Sequence, residues 1–126
     1  MSAALNHTIA WCRDKKKSAN FPTAILGLPR PRRLYHFLVV ELSNDVSIDY
    51  FETDEHVAVQ HFAFLVTEDE FDGAFGRIEE MQLDYWADPA RSRPGEINHH
   101  DGGRGVYFCD PDGHLLELIT KPYGSG

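Results

Sequence analysis

A carboxylate, Glu117, stands inside the apolar run His114-Leu115-Leu116-Glu117-Leu118-Ile119. Burying an unpaired carboxylate is expensive, so such a residue takes a cationic partner, a metal or a pH-dependent task. The plain alternative is solvent: Glu117 alternates with Leu116 and Leu118, and on a half-wet strand it would face water. Two histidines occupy strand-like settings of their own, His7 in Leu5-Asn6-His7-Thr8-Ile9 and His61 in Gln60-His61-Phe62-Ala63-Phe64-Leu65. Each alone reads as an ordinary core or surface histidine. His36 and His56 have no such repeated context and read as core or surface residues.

The elements around these residues recur. A charged helix start follows each histidine at the same spacing, at Asp14 and at Glu68. The first helix is expected over Asp14 to Leu26. The second is expected over Glu68 to Met81, with Phe71, Ala74, Phe75, Ile78 and Met81 at helical spacing. Short strands follow each helix, the first set ending in Val46–Phe51 and the second in His114–Ile119. Asp49 and Glu117 then take the same place in two copies of one strand–helix–three-strand unit. Before the last strand, Asp110-Pro111-Asp112-Gly113 suits a tight turn, with proline presetting one φ and glycine tolerating a positive one. Pro22 lies inside the first helix, where it removes a backbone donor and favours a kink. Lys15, Lys16 and Lys17 near that helix start oppose its dipole.

These pieces, in this order, resemble the vicinal oxygen chelate superfamily, which includes glyoxalase I, extradiol catechol dioxygenases, thiol-transferring fosfomycin resistance enzymes and bleomycin-binding proteins. The resemblance rests on Leu5-Asn6-His7, the Arg13–Phe21 helix opening, Ile25-Leu26-Gly27-Leu28-Pro29, His61 and Tyr107 through Leu118. It implies an α+β fold of two βαβββ units, about 1–56 and 57–126, in one domain with a curved, mostly antiparallel open barrel. It places His7, His61 and Glu117 at metal-ligand positions, with Asp49 at the pseudo-symmetric fourth. Two imidazoles and a carboxylate on rigid strands leave coordination positions open, which suits non-haem Fe2+ first and Mn2+, Ni2+ or Zn2+ as well. Small two-unit members commonly dimerise, some by exchanging units, so a homodimer with sites shared between chains is expected.

The stretch from Asp88 to Gly105 is rich in glycine and proline and long for a connecting loop, a setting that often carries function. It holds Arg91, Arg93, His99, His100 and Arg104. Arg93 and Arg104 are candidates to orient an anionic or phenolate substrate. His99 and His100 are candidate acid–base residues, because imidazole titrates near working pH. Tyr107 is a candidate to point a hydroxyl at the site. Arg91 and His100 also read as polar surface residues.

On this basis the expected function is a divalent-metal enzyme acting on a small substrate with vicinal oxygens, most like an extradiol-type dioxygenase. A glyoxalase-like isomerase or lyase, with Asp49 as a fourth ligand, is the alternative. A fosfomycin-type transferase ranks below it, because the cationic segment that family carries after its glutamate has no counterpart in Thr120–Gly126. A non-catalytic small-molecule binder of the same fold is the remaining class.

Composition narrows the partners. The chain has 126 residues and a net charge of −8, which argues against nucleic acid. No apolar run is long enough to span a membrane, and the opening residues lack a signal-peptide core, so a cytoplasmic location is expected. Cys12 and Cys109 read as small hydrophobes rather than as a disulfide framework.

Overall fold

The computed structural model describes residues 2–126. Two βαβββ units make up its α+β architecture. They form compact bodies, Met1–Ala58 and Val59–Gly126.

In the first unit, β1 (His7–Cys12) leads into α1 (Lys15–Leu26), followed by β2 (Arg32–Leu34), β3 (Phe37–Glu41) and β4 (Ser47–Glu52). Helix α1 starts where Asp14 accepts hydrogen bonds from the backbone N–H groups of Lys16 and Lys17. That side chain puts a negative charge at the helix N-terminus and offsets the unfavourable lysines. The Lys15 ammonium turns away to donate to the carbonyl of His36 at 3.1 Å. Pro22 sits inside α1 with its ring buried, and the helix continues past it to a left-handed cap at Gly27, φ 66°. Ser18, Ala19, Pro22 and Ile25 form its buried stripe.

The second unit repeats the plan with β5 (His61–Leu65), α2 (Glu68–Glu80), β6 (Tyr85–Trp86), β7 (Gly105–Cys109) and β8 (Leu115–Ile119). Helix α2 opens on a capping box in which Thr67 and Glu70 exchange side-chain and backbone hydrogen bonds. Its Phe71, Ala74 and Ile78 are buried.

Each unit has a four-stranded sheet, ordered β1-β4-β3-β2 in one and β5-β8-β7-β6 in the other. The first strand of each unit pairs in parallel with the last, and the remaining pairs are antiparallel. Alternation along the strands sets the two faces. Ala10, Cys12, Val40, Ile48 and Tyr50 supply the core of the first sheet, and Phe64, Val106, Phe108, Leu116 and Leu118 that of the second. The opposite faces are left for His7 and Asp49 in one unit and His61 and Glu117 in the other.

The expected helices and last strands match within a residue or so. The segment from Asp88 to Gly105 is more organised than its composition suggests. The Asp88 carboxylate accepts from the backbone N–H groups of Ser92 and Arg93, closing its first turn. Bridges Trp86↔Pro94 and Asn98↔Gly105 tie both ends to β6 and β7.

Candidate metal centre

The register of β5 against β8 brings the chemistry of the second unit together. His61 pairs with Leu115 and Ala63 with Glu117, so His61 and Glu117 are diagonal neighbours on one face of a parallel pair. The His61 ring lies between two acceptors: Nδ1 is 3.0 Å from the Leu115 carbonyl and Nε2 is 3.0 Å from Glu117 Oε1. A carbonyl only accepts, so Nδ1 carries a proton and donates it. Nε2 is then the nitrogen left to meet the carboxylate, or a metal in place of the intervening proton.

Glu117 is wholly buried. The solvent-facing alternative for this residue is therefore not the structure adopted. Its other oxygen, Oε2, accepts a hydrogen bond from the phenol of Tyr123. The hydroxyls of Tyr123 and Tyr107 are 2.9 Å apart, and since Tyr123 gives its proton to Glu117, Tyr107 donates to Tyr123. The Tyr107 ring also stacks on His61, with centroids 6.0 Å apart. Burial first, then the bond to Tyr123 and the nearby Glu117 carboxylate, push the Tyr107 phenol well above its ordinary range. It is a neutral hydrogen-bond donor at working pH and not a base.

A buried carboxylate, an imidazole whose outer nitrogen is held by a carbonyl, and one carboxylate oxygen aimed at Nε2 fit a divalent cation. The first unit presents the matching positions. Ile9 pairs with Asp49 as Ala63 pairs with Glu117. His7 Nδ1 lies 2.7 Å from Asn6 Oδ1, an acceptor, which leaves its Nε2 as the ligating nitrogen. Asp49 is nearly buried and accepts from the Ser47 hydroxyl at 2.8 Å.

The loop residues are placed otherwise. His99 and His100 are exposed, at the start of a short 3-10 turn, His100–Gly102. Arg93 pairs with Glu96 at 3.1 Å, both about half exposed. Arg104 bonds Glu68 and Asp72 on α2, each at 2.8 Å, and its guanidinium lies 4.5 Å over the Phe71 ring. Arg91 stacks over Trp86 and donates to Cys109 Sγ at 3.1 Å. Burial raises the Cys109 thiol, which keeps it a thiol rather than a nucleophilic thiolate. His36 and His56 are exposed.

Three features went unread in the sequence. Tyr123 had no periodic context to mark it. Asn98 is buried, donates to the Ala87 carbonyl at 2.8 Å and packs so closely on Gly105 that a Cβ there would meet its Oδ1 at 2.7 Å. The third is the clustering of the Asp110, Asp112 and His114 side chains within the expected turn. Among the described residues, donor atoms of Asp110, Asp112 and His114 lie within 4.8 Å of one another. Their chemistry is structural: Asp110 Oδ1 accepts the N–H groups of Asp112 and His114, both at 2.9 Å. The Nδ1 lone pair of His114 takes the Gln60 N–H at 2.9 Å, leaving its other nitrogen protonated and without a pair to give a metal.

Residues 4–118 match the family model described as Glyoxalase/Bleomycin resistance protein/Dioxygenase superfamily. The chain is 30% identical over 124 residues to a glutathione transferase, FosA, of Serratia marcescens, covering 94% of this chain and 81% of that one. It is 26% identical over 122 residues to a metallothiol transferase, FosB, of Lysinibacillus sphaericus, covering 93% and 82%. Among solved structures, the oxidase ChaP-H2 is 56% identical with a TM-score of 0.97, covering 100% of this chain and 99% of that one.

Proposed function

The chain belongs to the Glyoxalase/Bleomycin resistance protein/Dioxygenase superfamily, and from that premise we propose that it is a divalent-metal-dependent oxidative enzyme acting on a small substrate with vicinal oxygens. The extradiol-type dioxygenase is the finer form of this reading, with Fe2+ the favoured ion. The observation that carries it is the His61–Glu117 pair, a wholly buried carboxylate 3.0 Å from an imidazole nitrogen. The 56% identity to a protein described as an oxidase supports oxidation over the other chemistries of the superfamily.

In this reading His61, Glu117 and His7 hold the ion, and Asp49 is a fourth donor where the ion requires one. The ion, when bound, would supply Lewis acidity to the substrate's oxygens. Glu117 contributes the negative charge, and the Leu115 carbonyl keeps the His61 nitrogen aimed at it. Tyr107 and Tyr123 donate hydrogen bonds and keep water from the buried carboxylate. His99 and His100, exposed imidazoles, are the proposed acid–base residues. The reading includes a homodimer, in which His7 of one copy serves either its own chain or a second.

The test is direct. Protein stripped of metal is reloaded with Fe2+, Mn2+, Ni2+ or Zn2+ and assayed for oxygen uptake against a panel of catechols and other vicinal diols and hydroxyketones. Uptake with Fe2+ that disappears in Glu117→Gln is the expected result. Full uptake in metal-free protein would overturn it.

A second reading, thiol transfer, is favoured by the 30% identity to a protein described as a glutathione transferase. Consumption of glutathione with fosfomycin, and no oxygen uptake, would select it.

A further inference from the structure

Glu117 has two oxygens and the structure treats them differently. Oε1 faces His61 Nε2 at 3.0 Å, while Oε2 is taken by the Tyr123 hydroxyl. Tyr123 belongs to a segment, residues 121–126, with no helix or strand, and the residue is 58% exposed. An exposed tyrosine outside any regular element does not reach a buried carboxylate without something to hold it there. Asp101 supplies the hold. Its carboxylate accepts the Gly124 N–H at Oδ2, 3.1 Å, and the Gly126 N–H at Oδ1, 3.4 Å. Asp101 itself sits in the left-handed region, φ 57°, inside the turn that follows His99. The segment closes on itself as well, with the Ser125 N–H on the Pro122 carbonyl at 3.2 Å and Gly124 at φ 79°. The result is a short strap that directs a phenol at Glu117.

We propose that Tyr123 is a positioning residue for the metal: by holding Glu117 Oε2 it reserves Oε1 for the ion and makes this carboxylate a one-oxygen ligand. The proposal rests on the reading of His61 and Glu117 as ligands. A carboxylate free at both oxygens can chelate a divalent ion with both, which uses a coordination position that a substrate oxygen needs. A phenol bound to one oxygen blocks that mode. Tyr107 backs the arrangement by donating to the Tyr123 hydroxyl, which leaves the Tyr123 proton directed at Glu117. Asp101 acts one step further out, through the strap.

Co2+, an oxygen-stable stand-in for Fe2+, reports both affinity and coordination number in its visible spectrum. Metal-free wild type, Tyr123→Phe, Asp101→Asn, His61→Ala and Glu117→Gln are titrated with Co2+ by calorimetry and by absorbance, and their thermal midpoints are recorded without metal. Tyr123→Phe should lower Co2+ affinity about 10- to 100-fold, as loss of a hydrogen bond to a ligand does. Its Co2+ spectrum should differ from the wild type's; its metal-free midpoint should fall, because the buried Glu117 Oε2 loses its partner, while a single cooperative transition shows that the variant is folded. Asp101→Asn should move affinity and spectrum in the same direction by less, and carries the test if Tyr123→Phe does not fold. Wild-type affinity in Tyr123→Phe overturns the proposal, and so does a loss of affinity with an unchanged spectrum. If Glu117→Gln and His61→Ala also keep wild-type affinity, the ligand reading itself fails and the proposal falls with it. If those two lose the ion while Tyr123→Phe does not, the proposal alone is wrong.

Discussion

The Nε2 of His61, on a side chain 47% exposed, lies 3.0 Å from Oε1 of a wholly buried Glu117. One partner is in water and the other is not, so removing either has unequal consequences. In the metal-free protein, His61→Ala leaves Glu117 buried with only its phenol partner, a loss of about 1–3 kcal/mol for an under-satisfied buried group. Glu117→Gln in the His61→Ala background removes the stranded charge and should recover part of that loss. Urea unfolding of the four proteins of this cycle measures the coupling. A His61→Ala cost no larger than that of an exposed histidine would show that the pair contributes nothing.

Metal binding at this pair should release a proton. His61 Nδ1 keeps its proton on the Leu115 carbonyl, so whatever proton lies between Nε2 and Glu117 must leave when an ion takes its place. Affinity should therefore fall as pH drops through the imidazole range, since only neutral histidine ligates. Calorimetry in buffers of different ionisation enthalpy counts the protons released. A binding enthalpy independent of buffer, with affinity flat down to pH 5, would contradict ligation by His61. His36→Ala and His56→Ala should leave the profile unchanged.

The repeat was legible because it is written in periodicities: a histidine strand, a helical stripe such as Phe71-Ala74-Ile78, and a last strand with a carboxylate at a fixed place. Pairing Ile9 with Asp49 and Ala63 with Glu117 follows from that repetition. Glu117 itself was ambiguous, because alternation between Leu116 and Leu118 fits a wet face and a site face equally well. Its burial depends on Tyr107, one strand away, and on Tyr123, outside every strand. Neither contact leaves a local pattern. Arg104 shows the opposite case: its loop setting and charge suggested substrate, while its partners Glu68 and Asp72 lie far back in the chain on α2, beyond what local spacing can report.

Arg104 offers a clean separation between holding the fold and binding substrate. Its guanidinium bonds Glu68, Asp72 and the Glu68 carbonyl and covers Phe71. Arg104→Ala should cost about 1–2 kcal/mol through lost charged hydrogen bonds and cation–π contact. Co2+ affinity should not change. The readouts are the urea midpoint and a Co2+ titration. Unaltered stability with a raised KM would instead assign Arg104 to the substrate.

Asp110 should give the protein a pH dependence opposite to that of its surface carboxylates. Burial raises its carboxyl above the ordinary range, against the backbone N–H groups of His114 and Asp112 that bond it, and its Oδ2 is buried without a partner. Between the ordinary carboxylate pKa and the raised one, the folded state holds a proton that the unfolded chain has lost. Stability from this group is therefore fully present below the ordinary value and is lost as pH rises through the raised one. Glu70 runs the other way: its bonds to the Thr67 backbone and hydroxyl lower its pKa, so its contribution is present at neutral pH and lost on acidification. Asp110→Asn keeps an acceptor for the two N–H groups and has no proton to lose. The stability difference, wild type minus Asp110→Asn, should therefore decrease as pH rises from about 4. Urea unfolding of both proteins across pH 3.5–8 measures it, and a difference that stays level or grows with pH would show that burial does not hold a proton on Asp110.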